Sequence, residues 1–219
     1  MHGREDSLNA DGLPEIAETA RDYLDAKHKA REQALALTRE VVRLSANAIR
    51  NVHRDDFTTA ESLLEKARQN LAQTEDHLAD HRDIYHAGFV HDAQKEFAEA
   101  NCTLALVAGR PLPGPNDLQI SPAAYLNGIG ETVGELRRHL LDRMRAGDVQ
   151  HCEQVLGVMG DIYDVLVTMD YPEAVTGGLR RTADAMRGIL ERTRGDFTMS
   201  YTQKRLENRL NDLEGKFSG

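Results

Sequence analysis

The chain has 219 residues and 40% apolar content, enough for one large domain or two small ones with a sizeable core. Trp is absent and aromatic residues make up 5%, which argues against a sheet-based fold, while 29% charged residues spread along the chain suit long amphipathic helices. The net charge of −9 sets the mean field against phosphate, so a nucleic-acid partner requires a local concentration of arginine.

Residues 1–13 lack the apolar segment of a signal peptide and read as a short flexible tail. No apolar run approaches membrane-spanning length, so the expectation is a cytoplasmic protein with no membrane partner. From Pro14 onward nearly everything has a helical period. Residues 15–53 predict one long helix with Leu35, Val42, Ile49 and Val52 as its apolar stripe. "HRDDFT" breaks it, and Asp55 or Asp56 caps a second helix over about 57–81, striped by Leu64, Ala67, Leu71, Thr74 and Leu78.

"HRDIYHAG" is the next break, followed by a third helix over 89–108. The Pro- and Gly-rich "GRPLPGPNDLQISP" is a loop. Ser121 caps a fourth helix over 122–145, with Pro122 at its first position, and Asp148 caps a fifth over 148–169. "DYPEA" turns the chain into a last helix from about Pro172 to Phe217, with an interruption near Gly195. No internal repeat or interdomain linker is visible. The expected architecture is all-α, a single domain over 14–219 built from six or seven mostly long helices.

Two carboxylate pairs carry the chemistry. Glu96 and Glu99 are three apart on the third helix; Glu131 and Glu135 are four apart on the fourth, so each pair shares a helix face. Gly128, Gly130 and Gly134 surround the second pair, at about 1 kcal/mol each relative to Ala. That cost points to a close helix approach or to room for a ligand. Spacing alone leaves two readings: a solvated face paired with Arg138 or Lys95, or four acids gathered at one point. Gathered acids require water, protonation or a cation, and Mg²⁺ is a hard cation served by carboxylates.

Other chemistries fit less well. There is no HExxH, no Glu-x-x-His on these helices, no Gly-rich phosphate loop and no G-x-S-x-G. His77 and His81, beside Asp76 and Asp80, read as charged surface. Cys102 and Cys152 have no metal spacing and read as reduced, buried thiols.

Three segments, in order, carry a resemblance: "REQALALTREVVRLSANAIRNVHR" at 31–54, "KEFAEA" at 95–100 and "YLNGIGETVGELRR" at 125–138. Together they resemble the translin family, nearest its catalytic branch. The resemblance implies an octameric, barrel-like helical shell around single-stranded nucleic acid and Mg²⁺-dependent endonuclease activity on RNA, with Mn²⁺ as an alternative metal. It carries the metal onto Glu96, Glu99 and Glu131 and a neighbouring catalytic acid onto Glu135. The family has Asp where this chain has Glu131, whose carboxylate stands one methylene farther out. Arg138 matches a family arginine that either holds a substrate phosphate or pairs with a site carboxylate.

Three functions follow as expectations. The first is a metal-dependent ribonuclease. The second is a homo-oligomeric ring that binds single-stranded RNA or DNA without cutting, through Arg137, Arg138, Arg143 and Arg145 or through Arg180 and Arg181. The third is a purely structural helical protein. The stripe of the second helix and the apolar face of the fifth are the expected self-association surfaces.

Overall fold

The computed structural model describes residues 11–217, and all regular structure among them is α-helical. Six helices are long: α1 (Leu13–Val52), α2 (Phe57–His77), α4 (Phe89–Val107), α6 (Pro122–Arg145), α7 (Val149–Leu166) and α9 (Leu179–Phe217). Three are single turns: α3 (Arg82–Tyr85), α5 (Pro115–Leu118) and α8 (Glu173–Thr176). The expected tail lies outside the described residues as far as residue 10, and α1 already begins at Leu13.

Side-chain caps start three of the long helices. The carboxylate of Asp56 accepts from the Thr59 N–H, the hydroxyl of Ser121 from the Ala124 N–H, and the carboxylate of Asp148 from the His151 N–H. The break before the last helix falls at Gly177 and Gly178, not at Gly195. Their φ values of +62° and +96° are open to glycine at little steric cost, and α9 then runs unbroken through Gly195. The α1 seam also differs from expectation. Ala34, Thr38, Val41, Ser45, Ala48 and Val52 are buried, whereas Val42 is 37% exposed. Small residues carry this seam because they admit the neighbouring helices closely.

Besides a small cluster of Ala34, Leu78 and Val90, the helices form two main cores. One joins α1, α2 and α4 around Val41, Val52, Leu64 and Phe97, with Leu118 and Ile120 closing it. The other joins α6, α7 and α9 around Leu140, Met159, Leu166 and Met186. The α4–α6 contact is the seam between them, with Val107 packed on both. The stripe of α2 and the apolar face of α7 are spent inside these cores, so neither is free for self-association as expected. Exposed large apolar side chains sit elsewhere: Leu13, Ile16 and Leu24 early in α1, and Met199, Leu206 and Leu210 late in α9. His77 is exposed, but His81 is half-buried with its ring edge against Tyr23. Cys102 and Cys152 are free and buried. No helix among the described residues is long and apolar enough to cross a membrane.

Candidate metal centre and its cleft

Two glycines of α6 set the geometry. A Cβ on Gly128 would lie 2.5 Å from the Lys95 carbonyl oxygen and 2.6 Å from Ala98 Cβ, so α4 crosses directly over this position. A Cβ on Gly130 would lie 2.5 Å from Thr182 Cγ2 and 3.2 Å from Met186 Sδ, so α9 closes on the other side. Gly134 has open space around it and serves no close approach. The hydroxyl of Thr132 donates to the Gly128 carbonyl at 3.1 Å and lies 3.3 Å from that of Glu99, tying α6 to α4 beside the acids.

This crossing brings three of the four predicted acids together. One carboxylate oxygen from each of Glu96, Glu99 and Glu131 lies within 4.8 Å of the other two, and all three residues are half-buried. Lys95 donates to Glu131 at 2.8 Å and lies 3.8 Å from Glu96. Burial and the charges of Glu96, Glu131 and Glu135 drive the Glu99 carboxyl up to about 8. Burial also raises Glu96, against the opposing charge of Lys95. The Lys95 ammonium is held above its ordinary value, because Glu131 and Glu96 outweigh its own desolvation. The donor set of hard carboxylate oxygens suits a divalent cation, which would answer the repulsion that otherwise keeps Glu99 protonated.

Glu135 stands apart from the three. Its Oε2 meets His53 Nε2 at 2.5 Å, and that hydrogen bond holds its carboxylate below the usual range. The His53 ring is almost fully enclosed, with its side chain 3% exposed. Arg138 lies 4.0 Å from Glu135 and remains mostly exposed, so it borders Glu135 rather than the three clustered acids. Arg137 is occupied elsewhere, donating to Thr193 at 2.9 Å and to Asp196 at 2.8 Å on α9. Arg145 pairs with Asp142 at 2.8 Å.

Glu99, Glu131 and Lys95 form one wall of a cleft of about 540 Å³; Arg181, Thr182 and Met186 of α9 form the other. Asn127 anchors that second wall. Its amide donates to the Thr176 carbonyl at 2.7 Å, and its Oδ1 accepts from the Thr182 hydroxyl at 2.8 Å. Asn127 is 2% exposed, so this polar link is enclosed and fully used.

No family model matches the sequence. An uncharacterized protein of Methanocaldococcus jannaschii is 30% identical over 195 residues, covering 88% of this chain and 86% of its own. The crystal structure of AfC3PO aligns with a TM-score of 0.79 at 32% identity, covering 86% of this chain and 98% of that one. The chain belongs to the translin family. A second AfC3PO structure, solved as a duplex RNA complex, aligns at 0.76 with 32% identity over 86% of this chain and 97% of that one. Apo-NeC3PO, at 16% identity and a TM-score of 0.75 over 89% of this chain and 99% of its own, shares the fold.

Of the residues singled out in this translin-family sequence, Glu96, Glu99 and Glu131 converge, whereas Glu135 and Arg138 lie to one side. His53 was not singled out. It ends the long first helix in "NVHR", and its contact with Glu135 spans 82 positions. Asn127 and the α9 wall likewise carry no local signature.

Proposed function

We propose that this translin-family chain is an endoribonuclease that uses Mg²⁺ held by Glu96, Glu99 and Glu131, with Mn²⁺ as an alternative, inside a homo-oligomeric, octameric shell. The observation that carries the reading is the convergence of three carboxylate oxygens within 4.8 Å of one another, those of Glu99 and Glu131 on the wall of a cleft. When bound, the cation supplies Lewis-acid polarisation of a phosphoryl oxygen and neutralises charge developing at phosphorus. The chain's own residues do the rest. Lys95 keeps Glu131 and Glu96 company as counterion, and its link to Glu131 fixes that longer side chain. Glu99, whose carboxyl burial and the neighbouring acids raise to about 8, would be deprotonated in holding the cation. Glu135, kept ionised by His53 on Oε2, would accept a hydrogen bond from the attacking water through its other carboxylate oxygen and so orient it. Arg138, exposed and only loosely held, is free to turn toward a substrate phosphate.

RNA as the substrate is supported by AfC3PO, a relative at 32% identity whose structure is a duplex RNA complex. That observation extends the substrate from single strands, the sequence expectation, to duplexes as a second arm of the test. Shell formation is supported by the exposed apolar side chains early in α1 and late in α9, which a neighbouring copy would cover. A cytoplasmic setting suits the free, buried Cys102 and Cys152.

A second reading rests on Lys95. By satisfying Glu131 and approaching Glu96, it allows the cluster to stand without a metal, as in an RNA- or DNA-binding ring that does not cut. RNA incubated with Mg²⁺, with EDTA, and with the Glu96→Gln, Glu99→Gln double variant separates the two. Cleavage by the wild type with Mg²⁺ alone supports the nuclease. Retention of intact RNA by both proteins supports the ring.

A further inference from the structure

We infer that Arg181 is a substrate-binding residue that grips a backbone phosphate of the RNA strand entering the cleft opposite Glu99 and Glu131. This rests on the nuclease reading for the identity of the site, but the phosphate contact is testable without cleavage.

Arg181 and Lys95 are the two Lys or Arg side chains that line this cleft. Lys95 is spent on Glu131 and Glu96. Arg181 is exposed, and its side chain takes part in no ion pair or hydrogen bond among the described residues. Among the described residues other arginine side chains of α9 are also unpaired, those of Arg180 and Arg192 included, but of these Arg181 alone lines the cleft that Glu99 and Glu131 wall. A guanidinium without a partner on the wall facing the acids is available to a phosphate, which the carboxylates by themselves would repel. The chain's net charge of −9 makes such a local cation a condition of RNA binding.

The mount of Arg181 is rigid. Thr182, the next residue, is hydrogen-bonded to Asn127 at 2.8 Å and packs onto the bare backbone of Gly130, the residue before Glu131. The two walls are therefore fixed to each other one residue away from each charged group. Arg181 also lies in the first turn of α9, where the macrodipole disfavours a cation and favours an anion. A phosphate there would relieve the unfavourable term. The cleft volume of about 540 Å³ is that of a small-ligand site, suited to a nucleotide unit rather than to the full width of a duplex. Arg180, expected from sequence to act with Arg181, instead lines a different groove with Leu166 and Tyr171 and so serves as the internal control.

The probe is a short fluorescent single-stranded RNA titrated in EDTA, where binding is read without cleavage. Arg181→Ala is expected to weaken binding roughly tenfold and to lower the salt slope by about 1. Arg180→Ala is expected to change neither. Both side chains are exposed, and matching melting curves would verify folding. Wild-type affinity and slope in Arg181→Ala, or an equal loss in Arg180→Ala, overturns the assignment. If Arg181→Ala loses affinity while the wild type never cleaves, the phosphate contact stands and the nuclease reading fails. If the wild type cleaves and Arg181→Ala binds normally, the nuclease reading stands and the contact fails.

Discussion

Lys95 donates to Glu131 across the α4–α6 seam at 2.8 Å and so gives one of three clustered carboxylates a full ionic partner. Glu96 is reached more distantly at 3.8 Å, and burial, with the repulsion of its neighbours, raises the Glu99 carboxyl to about 8. Divalent metal would remove that repulsion, and a ligand that binds only the folded state raises stability. The melting temperature of the wild type should therefore rise with Mg²⁺. Glu99→Gln should melt higher than the metal-free wild type above neutral pH and lose the Mg²⁺ response. An undiminished response in Glu99→Gln would remove Glu99 from the metal set.

The same proton predicts a pH dependence whose sign follows from linkage. Between its ordinary value of 4.5 and about 8, Glu99 is protonated when folded and ionised when unfolded. The unfolded state binds fewer protons there, so metal-free stability falls as pH rises. His139 acts oppositely at lower pH. Burial and the neighbouring His151 depress it from 6.5 to about 4, so its contribution is complete above 6.5 and fades as pH falls toward 4. Above pH 6.5 the Glu99 slope is no longer offset by His139. Urea titrations from there to pH 8 should show a loss of about 2 kcal/mol in EDTA, absent in Glu99→Gln. A flat wild-type profile would contradict the protonated Glu99.

Two glycines of α6, Gly128 and Gly134, should respond in opposite directions to the same methyl group. At Gly128 the added Cβ meets the Lys95 backbone and Ala98, and Ala should cost about 1–3 kcal/mol or more. Gly128, Gly130 and Gly134 share one helix, but Gly134 faces open space, where Ala should be neutral or stabilise by roughly 0.5–1 kcal/mol. Chemical denaturation of Gly128→Ala and Gly134→Ala decides it. A Gly128→Ala protein as stable as the wild type would mean that α4 does not sit against this backbone.

His53 should act through Glu135. Replacing it with Ala leaves a half-buried carboxylate without its donor, which costs about 1–3 kcal/mol. On the proposed role of Glu135, His53→Ala should lower kcat for RNA cleavage with little change in KM, and should shift the acid limb of the pH–rate profile to higher pH, because the hydrogen bond that holds the Glu135 carboxylate down is lost. An unchanged kcat would leave His53 with a structural role alone.

How far these features could be read from sequence depends on how local their causes are. The caps Asp56, Ser121 and Asp148 sit within three residues of the N–H groups they receive, so each was legible. The α1 seam was not, because Leu35 and Val42 mark a stripe of large residues while Ala34, Thr38, Ser45 and Ala48 make the contact. Gly195 looked like a helix breaker but is exposed, where its cost of about 1 kcal/mol is tolerated within a long helix. At the site, helical spacing and family resemblance pointed to Glu96, Glu99 and Glu131. Lys95 and Arg138 are expected partners from sequence, and Arg138 meets Glu135 within α6. Which acid Lys95 meets depends on a contact across the α4–α6 seam, and His53 reaching Glu135 across 82 positions leaves no local signature.

The central claim is that Glu96, Glu99 and Glu131 hold a metal that cuts RNA. Incubating single-stranded and duplex RNA with the purified protein and Mg²⁺, beside EDTA and the Glu96→Gln, Glu99→Gln double variant, tests it most directly. Cleavage by the wild type alone, abolished by EDTA and by the two substitutions, is the predicted result. Equal cleavage by wild type and double variant, or intact RNA throughout, would contradict it.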